Sequence, residues 1–133
     1  MQATRSAGKY KCRRNSTGES HFQWSSEKEM YAIAIVRYRS PLEQVLQHID
    51  EHRVYLRGLE RQGLLLASGP LDPRSGGALL LNVPDEKDTT AHLALDRIRD
   101  NDPFVKAGVA QYELLPWVPV IGKERLDSLQ ERR

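Results

Sequence analysis

The sequence predicts an α+β domain in which four antiparallel strands form one sheet and two helices pack on one of its faces. Three observations carry that prediction. Apolar runs rich in β-formers and helix-periodic segments alternate in the order strand, helix, strand, strand, helix, strand. A Pro/Gly-rich stretch, LDPRSGG, joins the second and third strands as a turn, which makes that pair antiparallel. The chain has 133 residues, 39% hydrophobic and 29% charged, enough for one domain with a modest core.

Met30–Tyr38 (MYAIAIVRY) is a near-continuous apolar run and reads as the first strand. Ser40 then reads as a helix cap, with Pro41 at the first helical position and Glu43 closing a capping box. The helix is expected to run to about Gln62 and to stop at Gly63. Leu64–Ser68 is the second strand, ended by Gly69-Pro70, and Ala78–Val83 (ALLLNV) is the third, ended by Pro84. A second helix starts near Asp85–Thr89 and carries Ala91, Ala94, Leu95 and Ile98 on one face. Asp102-Pro103 restarts a short helical turn through about Lys106, Gly108 breaks it, and Val109–Leu115 is the fourth strand. Residues 116–133 hold a Pro/Trp-containing segment and a charged tail with a short helix from Lys123.

This order is the ferredoxin-like βαββαβ arrangement, whose two helices cover one sheet face. The first three strands, however, are apolar on both faces, in AIAIV, LLLA and ALLLNV. A sheet apolar on both sides needs cover on both. A second copy of the chain, packed face to face, supplies that cover in a dimeric α+β barrel, so the expected partner is a homodimer mate.

Composition narrows the function. No apolar run is long enough to span a bilayer, so no membrane partner is expected. The single cysteine, Cys12, has no internal disulfide partner and fits a reducing, cytoplasmic setting. The net charge of +2 is unevenly placed. Six of the 20 Lys/Arg and three of the 18 Asp/Glu lie in residues 1–29, which leaves 14 basic against 15 acidic residues in the rest. The patterned region thus has no broad cationic footprint, and nucleic acid is not an expected partner. Residues 1–29 lack apolar periodicity and read as a disordered basic extension. Three origins are open for it: a translated leader ahead of a start at Met30, an organelle-type presequence, or a basic arm. The domain proper is expected over residues 30–120, with 121–133 a charged tail.

One histidine stands where the helix pattern calls for an apolar residue. Apolar positions step Val45, Ile49, then Leu56, Leu59, and the missing member of this 4-3-4-3 walk is His52. An ionisable ring on a core-facing stripe must find a partner or stay neutral, so His52 is either a satisfied core histidine or the centre of a site. The best carboxylate partner is Asp102. As the residue before a proline at a helix start, it is also a natural N-cap, and its two oxygens allow one to cap while the other meets an imidazole. His48 lies one turn before His52, but the run HIDEH is not a metalloprotease helix and no third ligand follows at metal-site spacing. No metal is expected. In the loop after the second strand, Ser68, Gly69, Pro70 and Arg74 sit near Gly76-Gly77, where glycines let a ligand approach the backbone and Arg74 can meet an anion. The blander reading is a glycine-rich hairpin with a solvated arginine. No phosphate-binding, dinucleotide or nucleophile-elbow motif is present, so no cofactor is indicated.

Taken together, MYAIAIVRY, EHRVYL with His52, LLLASGPL, RSGGALLL and DPFVKAG with Asp102 make Met30–Val120 resemble the YCII-related (YciI-like) domain family. The resemblance implies a ferredoxin-like dimeric α+β barrel and a cleft holding a proposed catalytic His–Asp pair. It places His52 at the family histidine and Asp102 at the aspartate of the Asp-Pro-aromatic element. The family includes a dehydrochlorinase acting on a chlorinated hydroxyquinol, and fold relatives include muconolactone isomerase-like enzymes. The expected function is therefore a cofactor-independent lyase or isomerase that transfers a proton, or eliminates HX, on a small cyclic or aromatic substrate. The alternative is a dimeric module that binds a small molecule without turning it over.

Overall fold

In a computed structural model of the protein, residues 29–85 and 90–131 are described. Strand β1 spans Glu29–Tyr38. Two helices follow, α1 over Leu42–Leu46 and α2 over Ile49–Arg61. Strands β2 (Leu65–Pro70) and β3 (Gly76–Pro84) form a hairpin. Helix α3 covers Thr90–Asn101, α4 is the short turn Pro103–Lys106, β4 runs over Ala110–Trp117, and α5 over Lys123–Glu131. The sheet order is β2-β3-β1-β4 with every neighbouring pair antiparallel, which is the ferredoxin-like arrangement. The expected disorder of residues 1–29 and the origin of that segment fall, but for Glu29, outside the described residues, as does the start of α3 before Thr90.

The expected first helix is two helices. Ser40 does not cap it: the residue before α1 is Pro41, in extended conformation (φ −56°, ψ 149°), and no side chain caps the turn. Pro41 has no N–H to donate, but its carbonyl accepts from Gln44 and Val45 and so starts α1. The helix tightens at its end, where Gln47 and His48 donate to the carbonyls three residues back, and α2 then begins afresh. The break leaves the apolar walk in phase, because Val45, His52, Leu56 and Leu59 are all buried. Gly76 and Gly77, expected in the turn, belong to β3. A Cβ on Gly76 would stand 1.8 Å from the Val36 carbonyl oxygen, so glycine there is required by the approach of β1.

Strand alternation assigns the two sheet faces. Ala32, Ala34 and Val36 pair with Leu81, Leu79 and Gly77, and this face carries the core against Leu56 and Leu59 of α2, Leu95 and Ile98 of α3, and Phe104 of α4. The other face presents Ile33, Ile35 and Leu80, half-buried, with the exposed Leu115 and Trp117 of β4. Helix α5 reaches one end of this second face, where the Tyr31 hydroxyl donates to Asp127 at 2.8 Å. The chain thus covers part of the face that the sequence reading left entirely to a partner. Among the described residues no helix is long and apolar enough to cross a membrane.

Candidate active site

His52 lies in the first turn of α2 on the core-facing stripe, and Asp102 is the N-cap of α4. Although 50 residues apart in sequence, they meet because α2 and α4 both pack on the helix-bearing face of the sheet. The Nδ1–H of His52 donates to Asp102 Oδ1 at 2.9 Å, which leaves Nε2 as the nitrogen free for other chemistry. The imidazole stacks on the ring of Phe104, with centroids 3.8 Å apart and planes within 6° of parallel. Tyr38 meets the same phenyl ring edge-on at 6.0 Å. Stacking on one side and a hydrogen bond in the ring plane together fix the orientation of His52.

Asp102 is fully buried, and a buried carboxylate needs donors on its oxygens. It has three. The Phe104 backbone N–H donates to Oδ1 at 2.8 Å, the imidazole shares that oxygen, and the Tyr112 hydroxyl donates a short hydrogen bond to Oδ2. Cap and imidazole therefore share one oxygen, where the sequence reading divided them between two. The second oxygen belongs to Tyr112, which that reading missed. The signal was available: in β4, Ala110, Tyr112 and Leu114 alternate onto the helix-bearing face, and Tyr112 stands opposite Val36. Burial, followed by the charge of Asp102, pushes the Tyr112 phenol far up, so it stays a donor across the physiological range. Tyr55, on α2, is pushed up to about 12 by burial and then by the same carboxylate, and its hydroxyl donates to the Ile98 carbonyl at 2.7 Å.

His52 faces a cavity of about 230 Å³ between α2 and the β2–β3 hairpin. Ser68, Gly69, Pro70 and Arg74, the four residues expected to bind substrate, all line it. Its walls also include Arg53, a residue absent from the sequence-derived candidates. A Cβ on Gly69 would meet nothing within 4 Å, so the space beside that backbone is open. His48 lies elsewhere, half-buried, with Nδ1 3.5 Å from Glu51 Oε1. Among the described residues no group of three His, Cys, Asp or Glu side chains is placed to hold a metal ion.

The model of the YCII-related domain matches residues 30–118, two thirds of the chain. The chain belongs to the YCII-related domain family. No curated protein matches it in sequence. Among solved structures, it is similar to the 5-chloro-2-hydroxyhydroquinone dehydrochlorinase of Burkholderia phenoliruptrix in complex with 2,5-dihydroxybenzoquinone. That likeness has a TM-score of 0.51 and 22% identity, and covers 69% of this chain and 97% of the other. At this identity it establishes a shared fold for the YCII-related region.

Proposed function

We propose that this protein is a cofactor-independent lyase or isomerase that moves a proton on a small cyclic or aromatic substrate bound beside His52. The observation that carries the reading is a histidine whose one nitrogen is held by a buried carboxylate while its ring lines a cavity. His52 Nε2 is placed to take a proton from a substrate carbon or hydroxyl. Asp102 holds the tautomer and stabilises the imidazolium that results. The electron pair left by the departing proton either expels a halide to form a double bond or shifts within the ring. In the second case His52 returns the proton to another atom. The dehydrochlorinase activity named for the structural neighbour is a reaction of the first kind.

The working form is a homodimer. Ile33, Ile35, Leu80, Leu115 and Trp117 leave an apolar stripe on the second sheet face, beyond the end that α5 reaches. A second copy packed face to face would bury it. Sedimentation should give a dimer at micromolar concentration, and a stable monomer would defeat this part of the reading.

Two measurements test the chemistry. In the first, chlorinated hydroxyquinols are assayed for chloride release with the wild type, His52→Ala and Asp102→Asn. Turnover lost with affinity retained supports catalysis, whereas affinity lost alone supports a binding module. In the second, the His52 ring resonances are followed against pH. The Asp102→Asn variant takes away the charge of the carboxylate that touches the ring. A titration indifferent to that substitution would sink the dyad.

A further inference from the structure

The cavity beside His52 has a marked charge asymmetry. Two arginines line it, from different elements: Arg53 from α2, next to His52, and Arg74 from the loop between β2 and β3. No Asp or Glu lines it, because Asp102 lies behind the imidazole and is fully buried. Three other arginines are paired within the protein, Arg37 with Glu113, Arg57 with Glu60, and Arg99 with Asp96 and Asp100, so what sets Arg53 and Arg74 apart from the remaining unpaired arginines is their place on the cavity wall. Among the described residues, neither Arg53 nor Arg74 has an ion pair or side-chain hydrogen bond. Much of the remaining wall is apolar, including Leu56, Leu79 and Phe104.

We propose that this cavity selects a single-ring organic anion, whose ionised carboxylate or acidic hydroxyl is held by Arg53 and Arg74 while the ring lies on the apolar wall beside His52. The proposal rests on the reading that the substrate occupies this cavity, and it names the substrate's chemical class. Size agrees with one ring, because about 230 Å³ exceeds the roughly 150 Å³ that admits benzene in an engineered cavity by about the room a substituent needs. Guanidinium groups suit a planar, two-oxygen anion through paired N–H donors. They also serve the proton transfer. When His52 removes a proton, the substrate gains negative charge, and two arginines on the same cavity wall can stabilise it. Arg53 and Arg74 are thus specificity-determining residues, and His52 alone handles the proton.

The test compares two probes of nearly equal shape that differ in charge, 2-hydroxybenzoate and 2-hydroxybenzamide, by calorimetry on the full chain. The benzoate should bind roughly ten-fold or more tightly than the amide. That advantage should shrink with added salt and largely vanish in Arg53→Gln and in Arg74→Gln. Both arginines are exposed, so the variants should stay folded. Equal affinity for the two probes, an advantage untouched in both variants, or no binding of either at millimolar concentration would overturn the proposal. The His52 titration in wild type and Asp102→Asn is recorded on the same preparations. Coupling present without charge preference sinks the role of the arginines alone. Charge preference without coupling leaves that role standing and removes the dyad.

Discussion

Helix α2 begins with two histidines, each with a carboxylate partner, in opposite physical settings. His48 closes the junction with α1, its side chain 33% exposed, and its partner Glu51 is 70% exposed at 3.5 Å. His52, one turn later, is 11% exposed and its partner Asp102 is fully buried at 2.9 Å. The first pair is screened by water and held by flexible side chains, so it contributes little to stability. The second is desolvated and anchored by a backbone N–H, a phenol and a stacked ring. Chemistry needs an imidazole whose tautomer and direction are fixed, and only the second setting fixes both.

The sharpest way to break this contrast is to delete each carboxylate. Asp102→Ala strands three buried donors, on His52, Phe104 and Tyr112. It should destabilise the fold by about 3–5 kcal/mol, as breaking one side of a buried pair does. Glu51→Ala should stay within about 0.5 kcal/mol of wild type. Urea unfolding of the two variants reads the difference directly, and comparable losses would mean that the two pairs are not distinct.

Next in size is the effect on turnover without unfolding. Asparagine at 102 can still accept from the Phe104 N–H and the imidazole, while the Tyr112 hydroxyl can turn to accept from its amide. Asp102→Asn should therefore stay folded, yet lose the charge that stabilises the imidazolium. Once a substrate is found, kcat should fall by roughly 10²–10⁴ in Asp102→Asn and in His52→Ala, the usual range for a positioned acid or base. His48→Ala should leave it near wild type. A large loss in His48→Ala would place the chemistry on the wrong histidine. Smaller still is Tyr112→Phe, which strands Asp102 Oδ2 and should cost about 1–3 kcal/mol of stability with a partial loss of kcat.

How much of this was legible in the sequence varies with the kind of interaction involved. The strand order and the stripe through His52 were readable because burial imposes a period on each element. The helix break at Gln47–His48 was not, because a local tightening leaves the apolar phase unchanged. Asp102 could be found from its capping position, since a cap has a local signature. Its third partner, Tyr112, required knowing which strand residue stands behind the cap, and that depends on how β4 registers with β1. Arg53 was missed for a related reason. As the residue after His52 it looks solvent-facing on the helix alone, and it becomes a wall residue only when the β2–β3 hairpin closes the other side. Gly76 read as turn chemistry, but the backbone of β1 is what demands it.

The smallest expected effect separates the two settings by alkali. Tyr55 and Tyr112 both feel burial first and then the charge of Asp102, and both hold their protons more tightly than a free tyrosine does. In the unfolded chain they would ionise near the ordinary value of about 10. Between there and about 12, where Tyr55 follows in the folded state, the native protein keeps protons that the unfolded chain has released. Stability therefore falls as pH rises through this window, and the contribution is fully present below it. Removing a tyrosine removes its share, so unfolding midpoints of Tyr55→Phe and Tyr112→Phe should decline less steeply with pH than those of wild type. Tyr31, raised by its own burial and then by Asp127, remains in both variants and keeps part of the slope. Asp102→Asn should also flatten the decline, because it takes away a charge that opposes ionisation of both phenols. Glu51→Gln, beside His48, should leave the slope unchanged. An unaltered slope in Asp102→Asn would mean that burial alone raises these phenols. The carboxylate's charge would then add nothing measurable to the hold that burial has on either phenol.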